Sequence, residues 1–331
     1  MTEVINQSAS PEAPQEKQLN GFQKALQAFC SFFGYGIYGA NSSKKRKKIF
    51  FDVITYILLI AGAFTMVYPL WWMLAASFAS SDLVLLETKW WPSSTSVYGF
   101  FYNYTRSINV LDRMWGIENS LLRSILNTLI YSLVPVTIGV IVSAAAAFAF
   151  AKLDFKGKNF VFFYCLAAIM VPFPSIMIAQ YCFYDSLGWV DGPLAMIIPG
   201  CFGAILTAFF IRQYLYGLPT AIIEAAKIDG AGYWRIFWTF IIPLAKPAIM
   251  AQFILSFMGS WNNFLAPQLF VRDNSWKPLT IAVSSIESAG TIDMQPIVMA
   301  ASVIAIAPIL VLFAVFQKTI IGSIMMTGSK E

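Results

Sequence analysis

Long uncharged apolar stretches, cut by short polar segments, set the pattern of this chain. Six runs hold no acidic or basic residue: 53–78, 125–150, 160–184, 193–211, 247–271 and 294–317. Each reaches or passes the roughly 18 residues that suggest a membrane-crossing helix. Backbone groups in hydrocarbon must be satisfied within their own element, so the pattern predicts helices rather than strands. The fold class read from it is all-α, a polytopic membrane protein with six transmembrane helices.

Detail inside the runs refines this. Prolines fall at Pro69, Pro135, Pro172, Pro174, Pro199 and Pro308, each removing a backbone donor. The step Val171-Pro172-Phe173-Pro174 is the most severe and is expected to break its helix near mid-membrane, bordering a cavity or only bending the bundle. Ser143 to Phe150 is a run of small residues ending in Phe, which reads as a helix-packing face. In the fifth run Gln252, Ser256 and Ser260 recur every four residues, and Asn263 continues that face, with Trp261 and Asn262 beside it. Hydroxyls and amides next to an aromatic ring suit a sugar, and they suit hydrogen bonding between helices equally well. The candidates for a translocation path are therefore Gln252, Ser256, Ser260, Trp261, Asn262, Asn263, Pro172 and Pro174.

Composition agrees with a membrane protein: 58% of the 331 residues are hydrophobic and 12% are charged, against about 25% charged in soluble domains. The formal charge of +5 does not point to nucleic acid, because basic residues gather at the ends of the runs. If the first run starts inside, 14 basic residues flank the inner side, beginning with the block 44–48, and six flank the outer side. That bias favours cytoplasmic termini. Residues 1–48 read as a cytoplasmic extension: a polar, disordered start with no signal-peptide core, then an interfacial helix or a further span over 25–43. Residues 49–331 read as the six-helix domain. The external loop 79–122 carries Trp90, Trp91 and Pro92, suited to a membrane interface or a docked partner.

Several chemistries are excluded. There is no His, and Cys30, Cys165, Cys182 and Cys201 lie too far apart for a short-spaced metal or redox motif. No phosphate-binding loop is present, and the runs hold no charge that could relay protons. No metal or catalytic site is expected, so energy for any pumping must come from another chain.

The segment 217–247 stands apart as an amphipathic, charge-bearing interruption in the apolar second half. Thr220 can cap a short helix carrying Glu224, Ala225 and Ala226, which Gly230 would end, and a second helix would run from Tyr233 to Ile242 before Pro243. Two alanines beside a carboxylate form a low face suited to another protein's groove. Glu224-Ala225-Ala226, Gly230 and Ile242-Pro243 resemble the "EAA" loop of permease subunits of binding-protein-dependent ATP-binding-cassette importers, with Phe240 and Ile242 in place of the usual Ile and Leu. Ala147 to Lys152 with Gly157-Lys158, and Trp261 to Phe264 with Leu279-Thr280, are similar to carbohydrate permeases. The tail from Gly322 to Lys330 is similar to that of the maltose permease G-type subunit.

The resemblance implies a type I importer permease fold and a non-catalytic subunit working in a larger assembly. That assembly would comprise a second homologous permease, two ATPases that bind ATP and Mg, an external solute-binding protein, membrane lipid and an oligosaccharide substrate. It assigns Glu224, Ala225, Ala226, Asp229, Gly230 and Pro243 to a coupling helix seated in an ATPase cleft. Its tail would reach the ATPase dimer interface. The same machine carrying another solute, and an ATP-independent secondary transporter, are the competing readings.

Overall fold

Apolar runs leave the backbone no partner but itself, and the computed structural model is helical through almost all of its described residues, 43–79, 97–289 and 294–328. Helix α1 spans Ser43–Ser77, α2 Val97–Trp115, α3 Ser120–Lys152, α4 Lys158–Ala167 and α5 Phe173–Ser186. Then come α6 Leu194–Cys201, α7 Ile205–Tyr216, α8 Ala221–Ile228, α9 Tyr233–Ile236 and, after a π-helical turn, α10 Ile242–Leu244. The chain continues through α11 Lys246–Trp261, α12 Leu265–Phe270, α13 Leu279–Ser288 and α14 Gln295–Gly328. Contacts divide it into two units, Met1–Tyr68 and Pro69–Glu331. Helix α1 runs without a break through the basic block and past residue 48, the boundary expected from the sequence. The expected disordered start, residues 25–42 of the interfacial segment, Cys30, and Trp90 to Pro92 lie outside the described residues.

Among the described residues four helical stretches are long and apolar enough to cross a membrane, Phe50–Ser77, Ser120–Lys152, Leu194–Tyr216 and Gln295–Gln317. Two bent pairs bring the number to as many as six when each counts as one span. The first, Lys158–Met170 with Phe173–Ser186, turns by 97° at the Val171-Pro172 step, where the sequence placed its break. The second, Tyr233–Leu244 with Lys246–Trp261, turns by 79° just before Pro247.

Two runs and one loop differ from expectation. The fifth does not stay helical to Val271; α11 stops at Trp261. Pro267 has no N–H to bond the carbonyl of Asn263, and that carbonyl accepts from Thr280 Oγ1 at 2.9 Å instead, while Asn263 Oδ1 accepts from Ala266 N–H at 3.3 Å. The fourth run breaks at 202–204, where Gly203 takes φ +83°. Its second helix then continues beyond Ile211 and carries Arg212 inside it. Part of the expected external loop 79–122 is α2, an amphipathic helix whose Asn103 amide donates to the carbonyls of Ser77 and Ala79, each at 2.9 Å.

One core cluster joins α2, α3, α11, α13 and α14 through Leu111, Val140, Phe257, Trp261, Ile286 and Ile297. Helix α3 is its spine. Asp112 Oδ1 accepts from Ser120 N–H at 2.7 Å and satisfies a donor at the start of that helix. Two and three turns further, Asn127 Nδ2 donates to Ser275 O at 2.9 Å and Tyr131 Oη to Trp276 O at 2.9 Å. Thr128 Oγ1 accepts from Leu279 N–H at 2.8 Å. These bonds fix the connection entering α13. The small-residue run of α3 packs as expected, with Ala144, Ala147, Phe148 and Ala151 buried in a second cluster beneath α7 to α10.

Candidate functional site

Most of the candidate residues fall in two regions: a surface turn formed by α8 to α10, and a cavity among α3, α5, α6, α7, α11 and α12.

The turn is built on local rules. Helix α8 ends at Gly230 with φ +79°. The Gly230 N–H donates to Lys227 O at 3.0 Å and the Ala231 N–H to Ala226 O at 2.9 Å, the paired bonds of a glycine-terminated helix. Lys227 Nζ sits 5.0 Å from the centre of the Tyr233 ring and bridges the two arms. Thr220 does not cap with its hydroxyl; it adopts helical angles, and its carbonyl accepts from the Ile223 and Glu224 N–H groups. The second helix is interrupted by a π-helical turn, Phe237–Ile241, next to Pro243, which cannot donate back to Thr239.

Burial splits the three-residue motif. Ala226 is 4% exposed and packs with Ile223, Ile236 and Phe237 on the α3 cluster. Glu224, Ala225, Asp229 and Pro243 are exposed. The low face expected from two alanines is therefore one alanine, Ala225, with the carboxylate of Glu224. Ile228, 87% exposed, and Trp234, 70% exposed, extend that face with apolar surface that the sequence reading missed. Beside the turn, Lys152 Nζ donates to Leu218 O at 2.6 Å. The Arg212 guanidinium lies 4.0 Å from the Phe162 ring centre and 4.7 Å from that of Tyr216, with Nε donating to Phe150 O at 3.3 Å. The Arg212 cation on the Phe150 carbonyl favours the negative end of α3. The Asp154 carboxyl is held below the usual carboxylate range by a 2.7 Å hydrogen bond from Lys158, with the charges of Lys158 and then Lys227 adding to it.

The cavity has a volume of about 370 Å³, within the range of about 300–1,000 Å³ typical of small-molecule sites. One wall is the crossing of α3 with the broken α6–α7 span. Ser143 Oγ accepts from Ala204 N–H at 2.9 Å and donates to Ala204 O at 3.2 Å, pinning the break. Facing it are Ser256, Ser260 and Asn263, so three of the eight path candidates line the space. Ser260 Oγ is committed to Tyr131 O at 2.9 Å. The remaining candidates lie elsewhere. Pro172 and Pro174 are exposed at the bend that starts α5. Asn262 is exposed and its amide donates to Met258 O at 3.0 Å, and Gln252 is half-buried one turn before Ser256. Trp261 is 2% exposed, with its indole N–H donating to Ala305 O at 3.1 Å. It is a packing residue and presents no ring to the cavity. Gln180 and Thr207 line the space without having been anticipated. A single amide or hydroxyl in an apolar run gives no local signal. None of the described lining residues carries a formal charge.

Residues 136–324, which take in the turn and all of the cavity lining but Pro135, match the family described as binding-protein-dependent transport system inner membrane component. This chain belongs to that family. The transport component is 31% identical over 284 residues, 84% of its length and 97% of the relative's, to the arabinooligosaccharides transport system permease protein AraQ of Halalkalibacterium halodurans. It is 30% identical over 280 residues, 82% of its length and 96% of the relative's, to the trehalose/maltose transport system permease protein MalG of Thermococcus litoralis. It also resembles the diacetylchitobiose uptake system permease protein NgcG of Streptomyces coelicolor, 28% identical over 287 residues, 86% of its own chain and 90% of the relative's. In fold it is similar to a chain in the crystal structure of a bacterial ABC transporter involved in the import of the acidic polysaccharide alginate. That likeness has a TM-score of 0.71 at 23% identity and covers 85% of this chain and 99% of the other. The type I permease fold of the transport component follows.

Trp261→Phe is expected to cost about 1 kcal/mol of stability through the lost hydrogen bond, read as a lower Tm in detergent. The order in which the permease prefers its solutes should stay unchanged; a changed order would place the ring in the path.

Proposed function

We propose that this permease carries neutral oligosaccharides inward as the non-catalytic translocation subunit of an ATP-driven importer. The observation that carries the reading is the cavity wall. Among the described residues its polar groups are hydroxyls and amides, its remainder is apolar, and none is charged. A sugar offers hydroxyl donors and acceptors together with apolar C–H faces, whereas a polyamine or a phosphate ester would enter such a wall without a counter-charge. The sugars in the relatives' names fit the same chemistry.

In this reading Glu224, Ala225, Ile228 and Trp234 form the face that seats in a cleft of an ATPase subunit, and Ala226, Gly230 and Pro243 shape it. ATP and Mg are held by two ATPase subunits and none is bound by this chain. A second homologous permease completes the path, an external solute-binding protein delivers the sugar, and bilayer lipid surrounds the spans. Both termini are placed in the cytoplasm of a bacterial cell. Closure of the ATPases would rock the paired permeases between inward- and outward-facing states.

The test is uptake into vesicles holding the complex, extracted gently from its native membrane and identified by mass spectrometry. The panel is radiolabelled arabinooligosaccharides, diacetylchitobiose, trehalose and maltose, with a dipeptide and a polyamine as controls. ATP-dependent uptake of at least one sugar, and of neither control, is expected. Uptake of a control alone would overturn the sugar assignment, and uptake that survives removal of the ATPase would overturn the coupling.

A further inference from the structure

Three buried side-chain atoms have no hydrogen-bond partner among the described residues: Ser124 Oγ, Ser132 Oγ and Gln180 Oε1. The two serines lie on α3 away from the cavity lining, where a hydroxyl can turn toward a carbonyl of its own helix. Gln180 has no such recourse, and it lines the cavity. An amide oxygen withdrawn from water and left unpartnered is costly, and native proteins hold few of them.

Its neighbours fix the geometry. Gln180 stands on α5, just past the 97° bend at Val171-Pro172. Its Nε2 donates to Tyr184 Oη at 2.5 Å. Tyr184 is 5% exposed and wedged between Trp189 and Phe270, with ring centres at 5.6 and 5.1 Å. One amide atom is thus clamped on a rigid phenol and the other is left at the cavity wall. Turning the amide over exchanges the two atoms, since the phenol both donates and accepts, and one atom is still left over. A solute hydroxyl can satisfy either, because it too donates and accepts.

We propose that Gln180, positioned by Tyr184, is a solute-selecting residue of this permease, its spare amide atom pairing with a hydroxyl of the neutral polyhydroxy solute as it passes. Ser256, Thr207 and Asn263 also line the cavity, so a sugar ring there has polar groups to meet beyond Gln180. The assignment rests on the sugar reading given under Proposed function and deepens it. It makes this subunit a participant in choosing the solute rather than a passive half of the channel.

The test uses the same vesicles, with the binding protein saturating, and compares wild type with Gln180→Met, which keeps the length of the side chain and removes its hydrogen bonds. Co-purification of the ATPases shows that the variant assembles. Sugar uptake should fall by about three- to tenfold, the effect of one lost neutral hydrogen bond, and unequally across the panel. An assembled Gln180→Met complex with wild-type uptake of every sugar overturns this assignment and leaves the sugar reading standing. Failure of the wild-type complex to take up any sugar of the panel overturns both. If Gln180→Met does not assemble, Tyr184→Phe removes only the hydroxyl that holds the amide. Uptake and sugar order equal to wild type in that variant overturn the assignment.

Discussion

A Gly230→Pro permease is expected to reach the membrane in normal amounts and to take up no solute. Gly230 holds φ +79°, which a proline ring locked near −65° cannot adopt. The substitution also removes the N–H that donates to Lys227 O at 3.0 Å. The end of α8 must then unwind or redirect, and Glu224, Ala225 and Ile228 move with it. The spans are untouched, because the turn rests on the α3 cluster through Ile223 and Ala226. Gly230→Ala supplies the graded comparison. A Cβ at this position meets nothing within 4 Å, so the cost is confined to the backbone, about 1–2 kcal/mol for a left-handed L-residue, and uptake should be reduced but present. Vesicle uptake and recovery of the ATPases with a tagged permease read the two effects separately. Normal uptake from the proline variant would remove the coupling role of this turn.

The second large effect lies at the crossing of α3 with the broken span. Gly139→Val is expected to prevent the permease from accumulating. A Cβ on Gly139 would overlap the carbonyl oxygen of Gly200, and a Cβ on Gly200 would lie 2.6 Å from the Pro135 Cβ. On the other side of the crossing, a Cβ on Gly203 would lie 2.9 Å from the carbonyl oxygen of Gly139. Backbone cannot turn aside as a flexible side chain can, so the two segments must separate. Overpacking costs about 1–3 kcal/mol in well-packed cores and occasionally more, and the larger values belong to contacts of this kind. Parting the helices would also release Ala204 from Ser143 and open the cavity wall. Gly259→Ala is the control, since a Cβ there meets nothing within 4 Å. Membrane abundance and Tm in detergent decide the matter: normal values for Gly139→Val would show that the crossing is loose.

The parts of this molecule that could be read without coordinates are those set by neighbours in sequence. The bend at Pro172 follows from prolines two residues apart, and the end of α8 from a glycine that tolerates positive φ. The packing face of α3 follows from small residues recurring along one helix. The spans follow from the length of uncharged runs. Each rests on the conformational limits or the hydrophobicity of the residues themselves, and needs no knowledge of what lies opposite.

The rest was decided by contacts between distant segments. Ser260 and Trp261 are adjacent, yet successive residues on a helix point about 100° apart, and only the packed structure shows that the first faces the cavity and the second the core. Ala225 and Ala226 divide in the same way between surface and cluster. The fifth run stops at Trp261 because Thr280 takes a carbonyl that Pro267 leaves free, and α13 is held to α3 by a bond from Leu279 to Thr128, 151 residues away. Gln180 becomes a candidate only when its amide meets Tyr184 and one of its atoms is left without a partner at the cavity wall. By itself the sequence determined where the apolar runs lie and where the charged turn interrupts them, because length, hydrophobicity and backbone freedom are local properties. The tertiary structure alone decided which side chains face the cavity, because that depends on which surfaces of separate helices bury one another.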